Sequence, residues 1–101
     1  MADAAKPGAT GADVNRVHDE FAAKHGFSPN KRYIGHGQGY DMMQAPAINP
    51  GEEMVIKENM HLALHPALTK GAFTAMCCDN FRVTKNGAVL LEKTPQELFI
   101  I

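Results

Sequence analysis

The run Gly35-His36-Gly37-Gln38-Gly39 constrains this chain more than any other stretch, because three glycines around one histidine remove the side-chain bulk that keeps backbones apart. Glycine also reaches positive φ at little cost, so the run predicts a tight loop that presents one imidazole to a cavity. The spacing is G-x-G-x-G, and no long helical pattern follows it. The run therefore lacks the form of a dinucleotide-binding fingerprint, in which a pyrophosphate rests on a helix N-terminus.

The 101 residues around this run allow one domain with a modest core. A net charge of -1 gives neither the basic surface of a nucleic-acid binder nor the strongly charged balance of a disordered tail. No apolar run approaches the roughly 20 residues that span a bilayer, and the first residues lack the apolar centre of a signal peptide. The expectation is a cytoplasmic protein that engages neither nucleic acid nor membrane. Cys77 and Cys78 are adjacent, a placement that strains any bridge between them, so both are expected as free thiols in a reducing compartment.

Along the chain, residues 1–9 read as an extended lead-in. Thr10 and Asp13 form a weak capping box, and Val14, Val17, Phe21 and Ala22 recur at helical spacing, which predicts a helix over about 11–25 with Gly26 after it. His18 and His25 are expected on its solvated face. Residues 27–32 read as a connection, and Tyr33 and Ile34 as a short strand leading into the glycine loop. Pro46, Pro50 and Gly51 exclude a central strand or helix over 45–51, and residues 53–56 suit a short edge strand.

Residues 60–64 are apolar with one histidine and stop at Pro66, which predicts a strand. Alternation places His61, Ala63 and His65 on one face and Met60, Leu62 and Leu64 on the other, the core side. Residues 73–83 predict a second strand, Asn86-Gly87 a hairpin turn, and 88–91 the returning strand. Thr94 and Pro95 suit the start of a last helical turn over 94–97. The fold class is α+β, with an antiparallel sheet, a long N-terminal helix and a C-terminal hairpin.

In this order the pieces resemble the C-terminal half of the catalytic domain of the creatinase and aminopeptidase family. This is the pita-bread fold of methionine aminopeptidases, Xaa-Pro aminopeptidases and prolidases. The stretch from Lys6 to Val14 is similar to the family's K-P-G-x-T-x-x-E-V, and the glycine run to its G-H-G-x-G. Asp41 to Pro46 is similar to D-x-H-E-x-P, and Asn59 to Pro66 to G-M-V-x-T-x-E-P. Ala75 to Gly87 resembles R-I-E-D-T-x-x-V-T-x-x-G, and Thr94 to Leu98 the closing T-x-P-x-E-L. The resemblance covers residues 10–101 as a single half-domain.

In the family this half supplies one histidine and two glutamates to a pair of divalent metal ions, and the preceding half supplies two aspartates. By the resemblance His36 keeps the histidine, whereas His65 and Cys78 stand at the glutamate positions and Met43 at a histidine that contacts substrate. Such a donor set cannot hold and charge-balance a carboxylate-bridged metal pair. Two readings of His65 and Cys78 stay open. In one, a site that has lost its metal has filled with uncharged residues, cysteine acting as a small hydrophobe. In the other, His36, His65 and Cys78 converge as a softer imidazole and thiolate metal site.

The resemblance implies a fragment or subunit of a hydrolase acting on a small amide, peptide or guanidino compound. His36 and His65 are the candidate catalytic residues, because imidazole titrates near neutral pH and no carboxylate remains at the family positions. His61, Met43 and Cys78 are candidates for the substrate cavity. The partner would be a second copy of the chain or whatever supplies the missing half. The alternative is a catalytically inactive binding or assembly module.

Overall fold

A computed structural model describes residues 1–29 and 33–101; part of the predicted 27–32 connection lies outside these. Helix α1 spans Gly11–Lys24 and opens on the predicted box: Asp13 N–H donates to Thr10 Oγ1 at 3.2 Å, and Thr10 N–H donates to Asp13 Oδ2 at 2.9 Å. These bonds satisfy donors that a helix start leaves unpaired. The helix ends at His25, and Gly26 follows at a φ of 72°.

Among the described residues eight strands follow: β1 (Ser28–Pro29), β2 (Gly35–Gln38), β3 (Gln44–Ala47), β4 (His61–Leu64), β5 (Ala67–Lys70), β6 (Phe73–Met76), β7 (Asp79–Thr84) and β8 (Gly87–Leu90). They form two antiparallel sheets, one in the order β1-β5-β6 and the other β3-β2-β4-β7-β8. Across the larger sheet His36 lies opposite Ala63, which lies opposite Asn80, while Gln38, His61 and Arg82 form the next row. One face of this sheet carries Leu62, Leu64 and Val83 into a core with Ala5, Val14, Ile34, Ile48 and Ile56. The other carries the histidines, as the alternation predicts.

Gly35–Gln38 of the glycine run form strand β2 and not a loop, and only Gly39 lies beyond it. The strand pairs with β3 on one side and β4 on the other, with an irregularity between His36 and Gly37. Its glycines serve close approach and not positive φ. A Cβ on Gly35 would stand 2.8 Å from the Ala63 carbonyl oxygen and from Ile48 Cγ1, and one on Gly37 would strike the Ala45 carbonyl.

Other expectations change as well. The lead-in holds a 3₁₀ turn over Ala2–Ala4, with Ala5 buried and Met1 packed on the core. His18 is 3% exposed instead of solvated, with Nε2 3.2 Å from the Ala67 carbonyl and Nδ1 3.0 Å from Asp19 Oδ1. It thereby ties α1 to β5. His25 is exposed, as expected, with its ring 4.4 Å from that of Phe21. The predicted 73–83 strand is two strands in different sheets, β6 and β7, separated by Cys77 and Cys78. Residues 94–97 form no helix, and Tyr33 and Ile34 lie outside any strand. In the 53–56 region the pairing is one isolated bridge from Val55 to Thr10.

Candidate functional site

The histidine face of β2 and β4 gathers His36, His65 and Tyr33. The His36 and His65 rings lie 5.3 Å apart, and Tyr33 lies 6.4 Å from His36 and 5.9 Å from His65, edge-on to both. Backbone pairing fixes this cluster: His65 N–H donates to the Ile34 carbonyl at 2.9 Å, holding the end of β4 beside the entry to β2. His36 Nδ1 stands 2.9 Å from its neighbour's carbonyl, that of Gly37. A carbonyl only accepts, so Nδ1 carries the hydrogen and Nε2 is the free base.

Beside the cluster lies an open cavity of about 320 Å³, lined by Tyr33, His36, Met43, Gln44 and Glu52 among others. Met43 is one of its lining residues, and its sulfur accepts from the Tyr33 hydroxyl at 3.6 Å. Glu52 is the carboxylate of this cavity, yet both its oxygens are engaged. Oε2 accepts from Ala47 N–H and Oε1 from Met54 N–H, each at 2.9 Å, and these bonds hold its carboxyl below the usual range.

His65 is pushed below its ordinary pKa of 6.5, first by burial and then by the neighbouring His36. The folded state therefore binds fewer protons than the unfolded chain below pH 6.5. His65's contribution to stability is present above that pH and is lost as pH falls through the lowered value. An NMR titration is expected to give His65 a midpoint below 6.5, partly restored by His36→Ala, with burial keeping the remainder. A His65 midpoint at or above 6.5 would contradict the packing described.

Cys78 does not join the histidines. Both cysteines are exposed and line a separate groove of about 710 Å³ with Met76, Asp79, Glu92 and residues 94–98. β6 ends at Met76 and β7 starts only at Asp79, which leaves both cysteines in the crossing between the two sheets. Burial foremost, then the charges of Asp79 and Cys78, pushes the Cys77 thiol up, against metal-binding thiolate character. Among the described residues no group of three or more His, Cys, Asp or Glu side chains is placed to hold a metal ion. The residues present thus do not fit the metal pair that the resemblance implies.

His61 shares the face of His36 but sits one row away, opposite Gln38 and Arg82. Tyr33, Glu52 and Glu92 were not singled out from the sequence. The aromatic residue just before Ile34-Gly35-His36 was the one available signal.

A sequence profile of metallopeptidase family M24 matches residues 1–85. The chain belongs to metallopeptidase family M24. It is 31% identical over 98 residues to an Xaa-Pro dipeptidase of Pyrococcus furiosus, covering 95% of this chain and 28% of that protein. It superposes on the prolidase structure from Pyrococcus furiosus with a TM-score of 0.84 at 29% identity, over 94% of this chain and 29% of that one. The fold of an Xaa-Pro dipeptidase from Bacillus anthracis matches with a TM-score of 0.85 at 23% identity, over 95% of this chain and 28% of that one. The M24 architecture is therefore that of a pita-bread fragment, and the chain spans about 28% of the length of the dipeptidase it matches. Within the described residues no helix is long and apolar enough to cross a membrane.

Proposed function

We propose that this M24 chain is a portion or subunit of a prolidase-like hydrolase acting on a small amide, peptide or guanidino compound, with imidazoles taking the place of carboxylates on its working face. The observation that carries this reading is the His36, His65 and Tyr33 cluster beside an open cavity on the face that the fold shares with dipeptidases. His36 Nε2 offers the lone pair of a general base, and His65, kept neutral by burial and by His36, offers a second. Burying one imidazole beside another favours at most one charge between them, so the pair can pass one proton at a time. Met43 and Tyr33 form the apolar and aromatic wall against which a proline ring or a small side chain would rest.

Assembly belongs to the same proposal. Residues 10–101 act as a half-domain in the cytoplasm, with a second copy or another chain supplying the remaining length. Support comes from exposed apolar groups on Phe73, Met76, Leu98, Phe99 and Ile100, of which Met76 and Leu98 line one groove. The alternative of a binding or assembly module is favoured by the lack of a three-ligand cluster among the described residues.

Titrating the chain with an Xaa-Pro dipeptide while following NMR shifts tests the site. Shifts at His36, His65 and Tyr33, saturating with concentration and lost in His36→Ala, are expected. Shifts confined to the Cys77 and Cys78 groove, or none at all, would overturn the assignment.

A further inference from the structure

Among the described residues two buried side-chain polar atoms lack a partner: His61 Nε2 and Glu92 Oε2. Glu92 follows β8 and turns back over the sheet, where its Oε1 accepts from Asn80 N–H at 2.8 Å and Asn80 Nδ2 at 2.6 Å. Asn80 and His61 are diagonal neighbours on one face, since Asn80 stands opposite Ala63 and His61 opposite Arg82. The nearby Arg82 guanidinium donates to Asn59 Oδ1. Asn80's hydrogen bonds foremost, with His61's charge as a lesser cause, hold the Glu92 carboxyl below its ordinary range. The two orphan atoms thus belong to groups that flank the same residue, Asn80, and both are sealed from water.

Natural folds rarely leave such atoms unpaired, and each of these is what the other requires. We infer that Glu92 is a positioning residue for His61: Oε2 accepts from Nε2–H after a small side-chain adjustment, which fixes the imidazole tautomer and leaves Nδ1 as the free acceptor. The inference deepens the reading given under the proposed function and rests on it for its use. His61 would offer Nδ1 to an amide N–H or hydroxyl of a ligand lying along the face that also carries His36.

The isosteric substitution E92Q separates positioning from packing. Asn80 offers two donors to Oε1, so the amide oxygen stays there and the amide NH₂ replaces Oε2. A donor then faces His61 Nε2, which must become an acceptor. In ¹⁵N NMR of the full 101-residue chain, His61 is expected to carry hydrogen on Nε2, and E92Q to move it to Nδ1. Hydrogen on Nδ1 in the unaltered chain, or the same tautomer in both proteins, overturns the inference; if E92Q does not fold, the unaltered chain decides alone. In the dipeptide titration a Glu92-dependent tautomer with no response at His61 or His36 would sink the functional reading and leave the pair standing. A response at His36 with a Glu92-independent tautomer would do the reverse.

Discussion

Gly37→Ala is expected to destabilise the protein by about 3 kcal/mol, near the upper end of what overpacking costs. The added Cβ would strike the Ala45 carbonyl oxygen, with the Ala45 carbonyl carbon at 2.8 Å and the Gln44 carbonyl oxygen at 3.0 Å. All three are backbone atoms of β3, so no side chain can swing away. Relief requires β3 to separate from β2, which breaks the pairing of Gly37 with Gln44 and of His36 with Ala47. A chain of this length has roughly 5 to 15 kcal/mol in total, so the loss is a large share of it. Gly51→Ala is the control, since its Cβ would meet only Asn49 Oδ1 at 3.6 Å, and it should change stability by less than about 0.5 kcal/mol. Urea unfolding at equal slope reads both. Equal midpoints for the two variants would show that β3 does not press on β2 as described.

That contrast also explains why the glycine run was legible as important and illegible as structure. Locally, Gly-His-Gly-x-Gly carries turn chemistry; what its glycines answer to is β3 and β4, dozens of atoms away along the chain. Helix α1 was readable because its determinants are local: the Thr10 and Asp13 box at one end, Gly26 at the other, and Val14 and Ala22 buried between. The face assignment of β4 was readable because a period of two needs no tertiary knowledge, and Leu62 and Leu64 are in the core as it requires. Where one side chain's fate depends on a distant carbonyl, as with His18 and Ala67, the helical period alone pointed the wrong way.

The same distinction divides the site. His36 and His65 were legible from the family resemblance, and their rings meet. Cys78, placed at a ligand position by the family resemblance, lies in the crossing between the two sheets and lines another groove. Thr94 and Pro95 carry a local cap signal that the tail does not follow; instead Gln96 Nε2 donates to Asp79 Oδ2 at 2.6 Å. Glu92 had no signal, because its relevance arises only when the segment after β8 folds back on Asn80.

The second large expected effect concerns metal. A pair of hard divalent ions bound through bridging carboxylates needs several anionic oxygens around one point. Here the face presents imidazoles, the nearest carboxylate of the cavity, Glu52, has both oxygens committed to backbone N–H groups, and Cys78 is elsewhere. Neutral imidazoles alone would leave two divalent ions without charge compensation. Manganese, cobalt or zinc is therefore expected to leave the rate of Xaa-Pro dipeptide cleavage by this chain at background, and chelation to remove nothing.

The most direct measurement is hydrolysis of an Xaa-Pro dipeptide by the purified 101-residue chain, with and without each metal, alongside His36→Ala. The account predicts one background rate in all conditions, because it takes this chain as only a portion of the proposed hydrolase. Metal-stimulated cleavage that His36→Ala abolishes would contradict it, since it would require a metal site among residues that do not converge on one.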